Sequence, residues 1–257
     1  MKPQIDPHGG QPVTGLVSKT TKAILNVLLA AILSATLFTA LPATGIGLKS
    51  SPFQSLNSSG ESANAATPQV NLHVGLVVGH WGHGDDVGAV CSDSLGGFKE
   101  VDINYTIADL TRQYLEAEGL QVDMLQEFDP HLDGYQSNAL ISIHADTCEY
   151  IPELGTGFKI AEAADNKRPE QAARLMACIK NRYSEATGLR YDDHRITDDM
   201  TSYHAFGEID PNTPAVIIET GYMNQDRELL TQNPALVARG ITAGIMCFLN
   251  REVISPE

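Results

Sequence analysis

From Gln69 onward, apolar runs too short for helices alternate with longer stretches at helical spacing, and this alternation constrains the fold more than any other feature. His73-Val74-Gly75-Leu76-Val77-Val78 closes on Gly79, Ala139 to Ile143 forms a second run, and Ala215 to Ile218 is a compact β-branched third. Runs of this length bounded by turn residues read as buried strands. Leu120 to Leu125 alternates as a strand, and Gly157 to Ala161 adds one more short segment. Between them, Ile103, Ile107, Leu110, Tyr114 and Leu115 recur at helical spacing ahead of Gly119. Ala172, Leu175, Met176, Ile179 and Tyr183 do the same ahead of Gly188. Leu236 to Leu249 makes a last amphipathic helix, with Asn233-Pro234 as cap and first-turn residue. The pattern predicts one α/β domain with a largely parallel or mixed central sheet flanked by helices. In such sheets functional groups collect at strand ends.

The N-terminal part has a different texture. Residues 1–22 bear Gly and Pro and lack apolar periodicity, which predicts a disordered tail on the cytoplasmic side. Ala23 to Leu41 is apolar apart from Asn26, Ser34, Thr36 and Thr39, and follows Lys19 and Lys22. Nineteen residues at about 1.5 Å rise cover most of the roughly 30 Å hydrocarbon thickness of a bilayer. The lysines leave the N-terminus in the cytoplasm, so the segment is a transmembrane anchor or a signal, and the rest is exported. Residues 42–68, rich in Ser, Asn, Ala and Gly, form a flexible linker, which leaves 69–257 as the folded domain. The expected location is extracytoplasmic, with the protein anchored in the membrane or secreted to the cell envelope.

Charge bears on partners, and the cysteines fit that compartment. The chain has 17 basic and 32 acidic residues, a net −15; residues 1–70 hold four lysines against Asp6 and Glu61, so the remainder carries −17. Such a body repels phosphate backbones, and no nucleic-acid partner is expected. Four cysteines suit an exported protein, where disulfides persist. Cys91 and Cys148 each follow a candidate metal-ligand segment in a loop, whereas Cys178 and Cys247 sit in two apolar helical patterns. We expect Cys91–Cys148 and Cys178–Cys247 pairs, with buried thiols as the alternative for the second.

Four separated stretches carry the chemistry. His80 follows the Gly79 that ends the first strand, and His144 emerges from Ser142-Ile143-His144-Ala145-Asp146 where a strand meets a loop. Either histidine alone is equally well a satisfied core residue. Together with a carboxylate they make a usual catalytic zinc set that leaves one coordination position for water. Glu100 opens a helix with Asn104 one turn later on the same face, a place where an acid is often only a dipole partner. Glu219 directly follows Val216-Ile217-Ile218, and a charge in an apolar strand is costly unless paired, metal-bound or protonated. Burial beside a metal suits it as a general base. His83, in a loop that Gly82 and Gly84 keep from helix, reads as an outer or substrate-side group. Asp146, Asn104 and His204 have the same standing. The stretch Asp192 to Pro211 either borders the substrate groove or is a solvated loop.

In this order the motifs resemble the zinc-dependent N-acetylmuramoyl-L-alanine amidases of the Amidase_3 type, over the span Val74 to Leu249. The family's Gly-His turn is matched by Gly79-His80, and its Glu-x-x-x-Asn helix start by Glu100 and Asn104. Ser-Ile-His-Ala-Asn is matched by Ser142 to Asp146, with Asp in place of Asn, and Pro-Ala-Val-Leu-Val-Glu-x-Gly by Pro214 to Gly221. The resemblance implies zinc (Zn2+) bound by His80, Glu100 and His144, with Glu219 as catalytic base. It implies peptidoglycan or muropeptides as substrate, cut at the amide joining N-acetylmuramic acid to L-alanine. Two rival readings stand beside it: a zinc carboxypeptidase or other amidohydrolase on cell-wall peptides, and a wall-binding regulatory module without turnover. The departures are Trp81-Gly82-His83-Gly84, where the family has Gly-Gly after its histidine, and the short Gln126 to Ser137 stretch.

Overall fold

Short strands with β-branched and aliphatic residues on both faces can be satisfied only when helices or loops cover both sides. The computed structural model, which describes residues 72–152 and 155–254, shows that arrangement. The expected tail, apolar segment and linker (1–22, 23–41 and 42–68) lie outside those residues. Among the described residues no helix is long and apolar enough to cross a membrane.

Five strands form one sheet: β1 (His73–Val78), β2 (Gln121–Gln126), β3 (Ala139–Asp146), β4 (Lys159–Ala161) and β5 (Ala215–Tyr222). Their order is β2-β1-β3-β5-β4. The first four neighbours pair in parallel, and the three-residue β4 runs antiparallel along β5, so the sheet is mixed. The helices are α1 (Glu100–Ala117), α2 (Pro169–Thr187), α3 (Asp198–Thr201), α4 (His204–Glu208), α5 (Arg227–Gln232) and α6 (Pro234–Leu249). Pro169 and Pro234 stand in the first turns of α2 and α6, where the missing N–H costs nothing.

Because side chains alternate along a strand, β3 serves two layers. Ile141 and Ile143 join the larger core with Ile103, Ile107 and Leu115 of α1, Leu175 and Ile179 of α2, and Ile241 and Ile245 of α6. Leu140 faces the other side with Val77 and Ile217, under Leu132, Met200, Tyr203, Ala205 and Ile209. The stretch Asp192 to Pro211 is therefore a packed cover carrying α3 and α4, not a solvated loop. Both expected disulfides are present: Cys178–Cys247 ties α2 to α6, and Cys91–Cys148 ties the loop before α1 to the loop after β3.

Candidate metal centre

The C-terminal ends of β1, β3 and β5 bring polar groups to the thinly covered face. Register places His144 of β3 opposite Glu219 of β5, and Glu219 opposite Lys159 of β4. The pairing of β3 with β5 shifts between His144 and Asp146, an irregularity of the kind that re-aims side chains. On the β1 side the neighbour of His144 is Gly79, where any Cβ would fall on the imidazole ring. A glycine is thus required there by His144.

The next residue, His80, adopts a left-handed backbone with φ 63°, which costs a non-glycine residue about 1–2 kcal/mol. This conformation sends its Nε2 to 3.2 Å from Glu100 Oε1. His144 Nδ1 lies 3.3 Å from the same oxygen. Glu100 is the first residue of α1 and is buried. Its carboxylate also accepts bonds from the N–H groups of Ala89 (3.0 Å) and Ala145 (3.3 Å) and from the Asn104 amide (3.2 Å). The same amide reaches Gly79 O, which fastens α1 to the end of β1. Gly88, at φ 66°, packs so closely on Glu100 and His80 that a side chain there would displace both.

These contacts explain the protonation of the cluster. Burial alone would raise the Glu100 pKa, but His144 and His80 outweigh it and hold the carboxyl well below its usual range. Burial opposes charge on His80, yet Glu100 and Asp86 lift it to about 9, and His144 is raised by Glu100 and Glu219 against its own burial. The carboxylate charge at this point is thus balanced by the two imidazoles, and a bound cation would have to displace their protons. Donor atoms around a tetrahedral zinc at about 2.0–2.1 Å stand roughly 3.3 Å apart. The observed 3.2 and 3.3 Å separations fit that spacing, and all three donor atoms lie within 4.8 Å of one another.

Glu219 is held differently. Its Oε2 is buried without a hydrogen-bond partner. Burial, with the Glu100 and Asp146 charges, overcomes His144 and Lys159 and pushes its pKa up to about 7. Asp146, expected beside the metal or substrate, is engaged by Lys159 Nζ at 2.7 Å. His83 is exposed and stands against Phe128 (ring centroids 4.3 Å apart), away from the three convergent groups. His204 stacks on Phe128 (ring centroids 4.2 Å apart) and its Nδ1 bonds Glu208 at 2.9 Å. The two histidines therefore belong to the rim.

Sequence reasoning missed Asp86, Lys159 and above all Glu127. His80 Nδ1 faces Asp86 Oδ2 at 3.1 Å, so the ring has a carboxylate on each side. Glu127, one residue beyond β2, is buried and its carboxylate accepts the His80 N–H. An acid just past the end of the strand read at Leu120 to Leu125 was the available signal.

Three comparisons bear on this geometry. The profile of the Amidase_3 family, described as N-acetylmuramoyl-L-alanine amidase, matches residues 74–247. Comparison with curated proteins gives no match to this sequence. Among solved structures, the fold is similar to an N-acetylmuramoyl-L-alanine amidase from Clostridium difficile 630, at 17% identity and TM-score 0.55, covering 71% of this chain and 98% of that one. It is similar to the CwlD amidase from Clostridioides difficile, solved in complex with the GerS lipoprotein, at 21% identity and TM-score 0.54, covering 71% and 100%. A third likeness is to the N-acetylmuramoyl-L-alanine amidase AmiC2 of Nostoc punctiforme, at 21% identity and TM-score 0.51, covering 70% and 98%.

Proposed function

This chain belongs to the Amidase_3 family of N-acetylmuramoyl-L-alanine amidases, and on that premise we propose that it is a zinc hydrolase of peptidoglycan stem peptides. The bond cut is the amide between the lactyl carbonyl of N-acetylmuramic acid and the nitrogen of L-alanine. The observation that carries the reading is the convergence of His80 Nε2, Glu100 Oε1 and His144 Nδ1 on one point, beside the unpartnered carboxyl of Glu219.

His80, Glu100 and His144 would hold the zinc. When bound, the ion supplies Lewis acidity toward the amide carbonyl and makes a water acidic near neutral pH. Glu100 would stay ionised because the N–H groups of Ala89 and Ala145 and the Asn104 amide donate to it, and Asn104 fixes its orientation. Glu219 takes the proton of the attacking water and delivers it to the alanine nitrogen as the C–N bond breaks. A carboxyl near neutrality can do both, accepting and then donating without a large penalty either way. The Asp146–Lys159 pair keeps a second anion beside Glu219 neutralised.

The apolar segment 23–41 would place this domain, residues 69–257, outside the cytoplasm as an anchored or secreted protein, with 1–22 a cytoplasmic-side tail and 42–68 the linker. Mass spectrometry of purified muropeptides digested with the full chain, with and without a chelator, tests the function. The expected products are intact stem peptides beginning at L-alanine and sugars that keep their lactyl group, both abolished by the chelator. Shortened stems still joined to sugar would replace this reading with a peptidase. No products from zinc-loaded protein would replace it with a binding module.

A further inference from the structure

Glu127 stands behind both histidines of the centre without belonging to the three convergent groups. It follows β2 directly, at the edge of the sheet, and only 6% of its surface is exposed. One carboxylate oxygen accepts the N–H of His80, and the Glu127 N–H in turn donates to Trp81 O at 3.1 Å. These two bonds clasp the turn that carries His80 in its left-handed conformation. The other oxygen faces three groups: the Tyr203 hydroxyl at 3.5 Å, His144 Nε2 at 3.8 Å and His204 Nε2 at 3.9 Å. His144 is 6% exposed, and its Nε2 has no hydrogen-bond partner. Tyr203, itself buried, is held by the Ser142 hydroxyl at 3.0 Å, so the network reaches back to β3.

We propose that Glu127 is a positioning residue for the metal centre, fixing His80 through its backbone N–H and presenting its charge, at 3.8 Å, to the outer ring nitrogen of His144. The inference rests on the reading of His80, Glu100 and His144 as zinc ligands. When Nδ1 of His144 is the inner atom, Nε2 carries the proton, and the nearest anion is Glu127. Carboxylates behind ligating histidines set ring orientation and raise ligand basicity, and their loss costs roughly 10–100-fold in metal affinity. Asp86 does this for the ring of His80 from an exposed loop. Glu127 acts from a buried position on both histidines at once.

The test is zinc affinity of the full chain by competition with a chromophoric chelator, together with the visible spectrum of the cobalt-substituted protein. Glu127→Gln keeps an oxygen that can accept the His80 N–H but removes the charge facing His144. It is expected to weaken zinc binding roughly tenfold and to shift the cobalt bands, with a thermal midpoint of the metal-free protein close to that of the parent. Glu127→Ala, which also frees the His80 turn, is expected to approach 100-fold. If Glu127→Ala does not fold, Glu127→Gln decides. Zinc affinity within twofold of the parent and unchanged cobalt bands in Glu127→Gln would overturn the proposal while leaving the zinc reading intact. Failure of the parent itself to bind zinc would overturn both.

Discussion

The start of α1 and the middle of β5 each bring a glutamate to the same cluster, and the two regions treat it in opposite ways. Glu100 is encircled by donors: two backbone N–H groups, the Asn104 amide and two imidazoles. Its burial is more than compensated, and its carboxyl is held well below the ordinary range. Glu219 sits in a row of strand neighbours, between His144 and Lys159, with one oxygen buried and unbonded. There burial wins, and the pKa rises to about 7. Residue type therefore does not set the charge of either group. The number of donors aimed at each carboxylate does, and on the proposed reading this suits Glu100 to a cation and Glu219 to proton transfer.

The largest effect should come from taking the charge off the donor-rich side. Glu100→Gln is expected to weaken zinc binding by at least about 100-fold, beyond what loss of an outer carboxylate costs, and turnover should disappear with the metal. Metal analysis after dialysis reads this; a stoichiometrically loaded variant would end the distinction between the two glutamates. Gly79→Ala attacks the same side through space, since the added Cβ meets the His144 ring. It is expected to lower metal occupancy in a protein that still shows native far-UV circular dichroism.

On the donor-poor side, removing the Lys159 cation is expected to act on stability. Lys159→Met leaves Asp146 unpaired next to Glu219, and breaking a buried pair by deleting one partner costs roughly 3–5 kcal/mol. Urea unfolding measures this, and a change under 1 kcal/mol would mean that Lys159 does not offset these acids. The scaffold is separate from both. Replacing Cys178 and Cys247 by alanine opens a 69-residue link between α2 and α6, at a cost of about 2–4 kcal/mol. Zinc affinity should not move, and a tenfold change would show that the two helices tension the centre.

Much of this was legible in the sequence because the signals were local. Short apolar runs ending in Gly79, His144 and Glu219 marked β1, β3 and β5, and helical periodicity marked α1, α2 and α6. The cysteine pairing followed from which elements carried each residue. What stayed hidden depends on tertiary approach. Glu127 lies in a stretch with no periodicity, and only the pairing of β1 with β2 brings it to His80. Asp146 reads as an outer or substrate-side group; its contact with Lys159 needs β4 to lie antiparallel beside β5, which no local pattern announces. His83 and His204 drew notice as histidines, but the aromatic contact with Phe128 puts them on the rim.

Glu219→Gln separates holding the metal from using it. In this variant we would measure zinc content and turnover on muropeptides together. Zinc bound at the parent's stoichiometry, with turnover reduced by about 10²–10⁴-fold, is the expected result for a general base outside the ligand set. A zinc-loaded variant with turnover near that of the parent would contradict the assignment of Glu219, and loss of the zinc would make it a ligand instead.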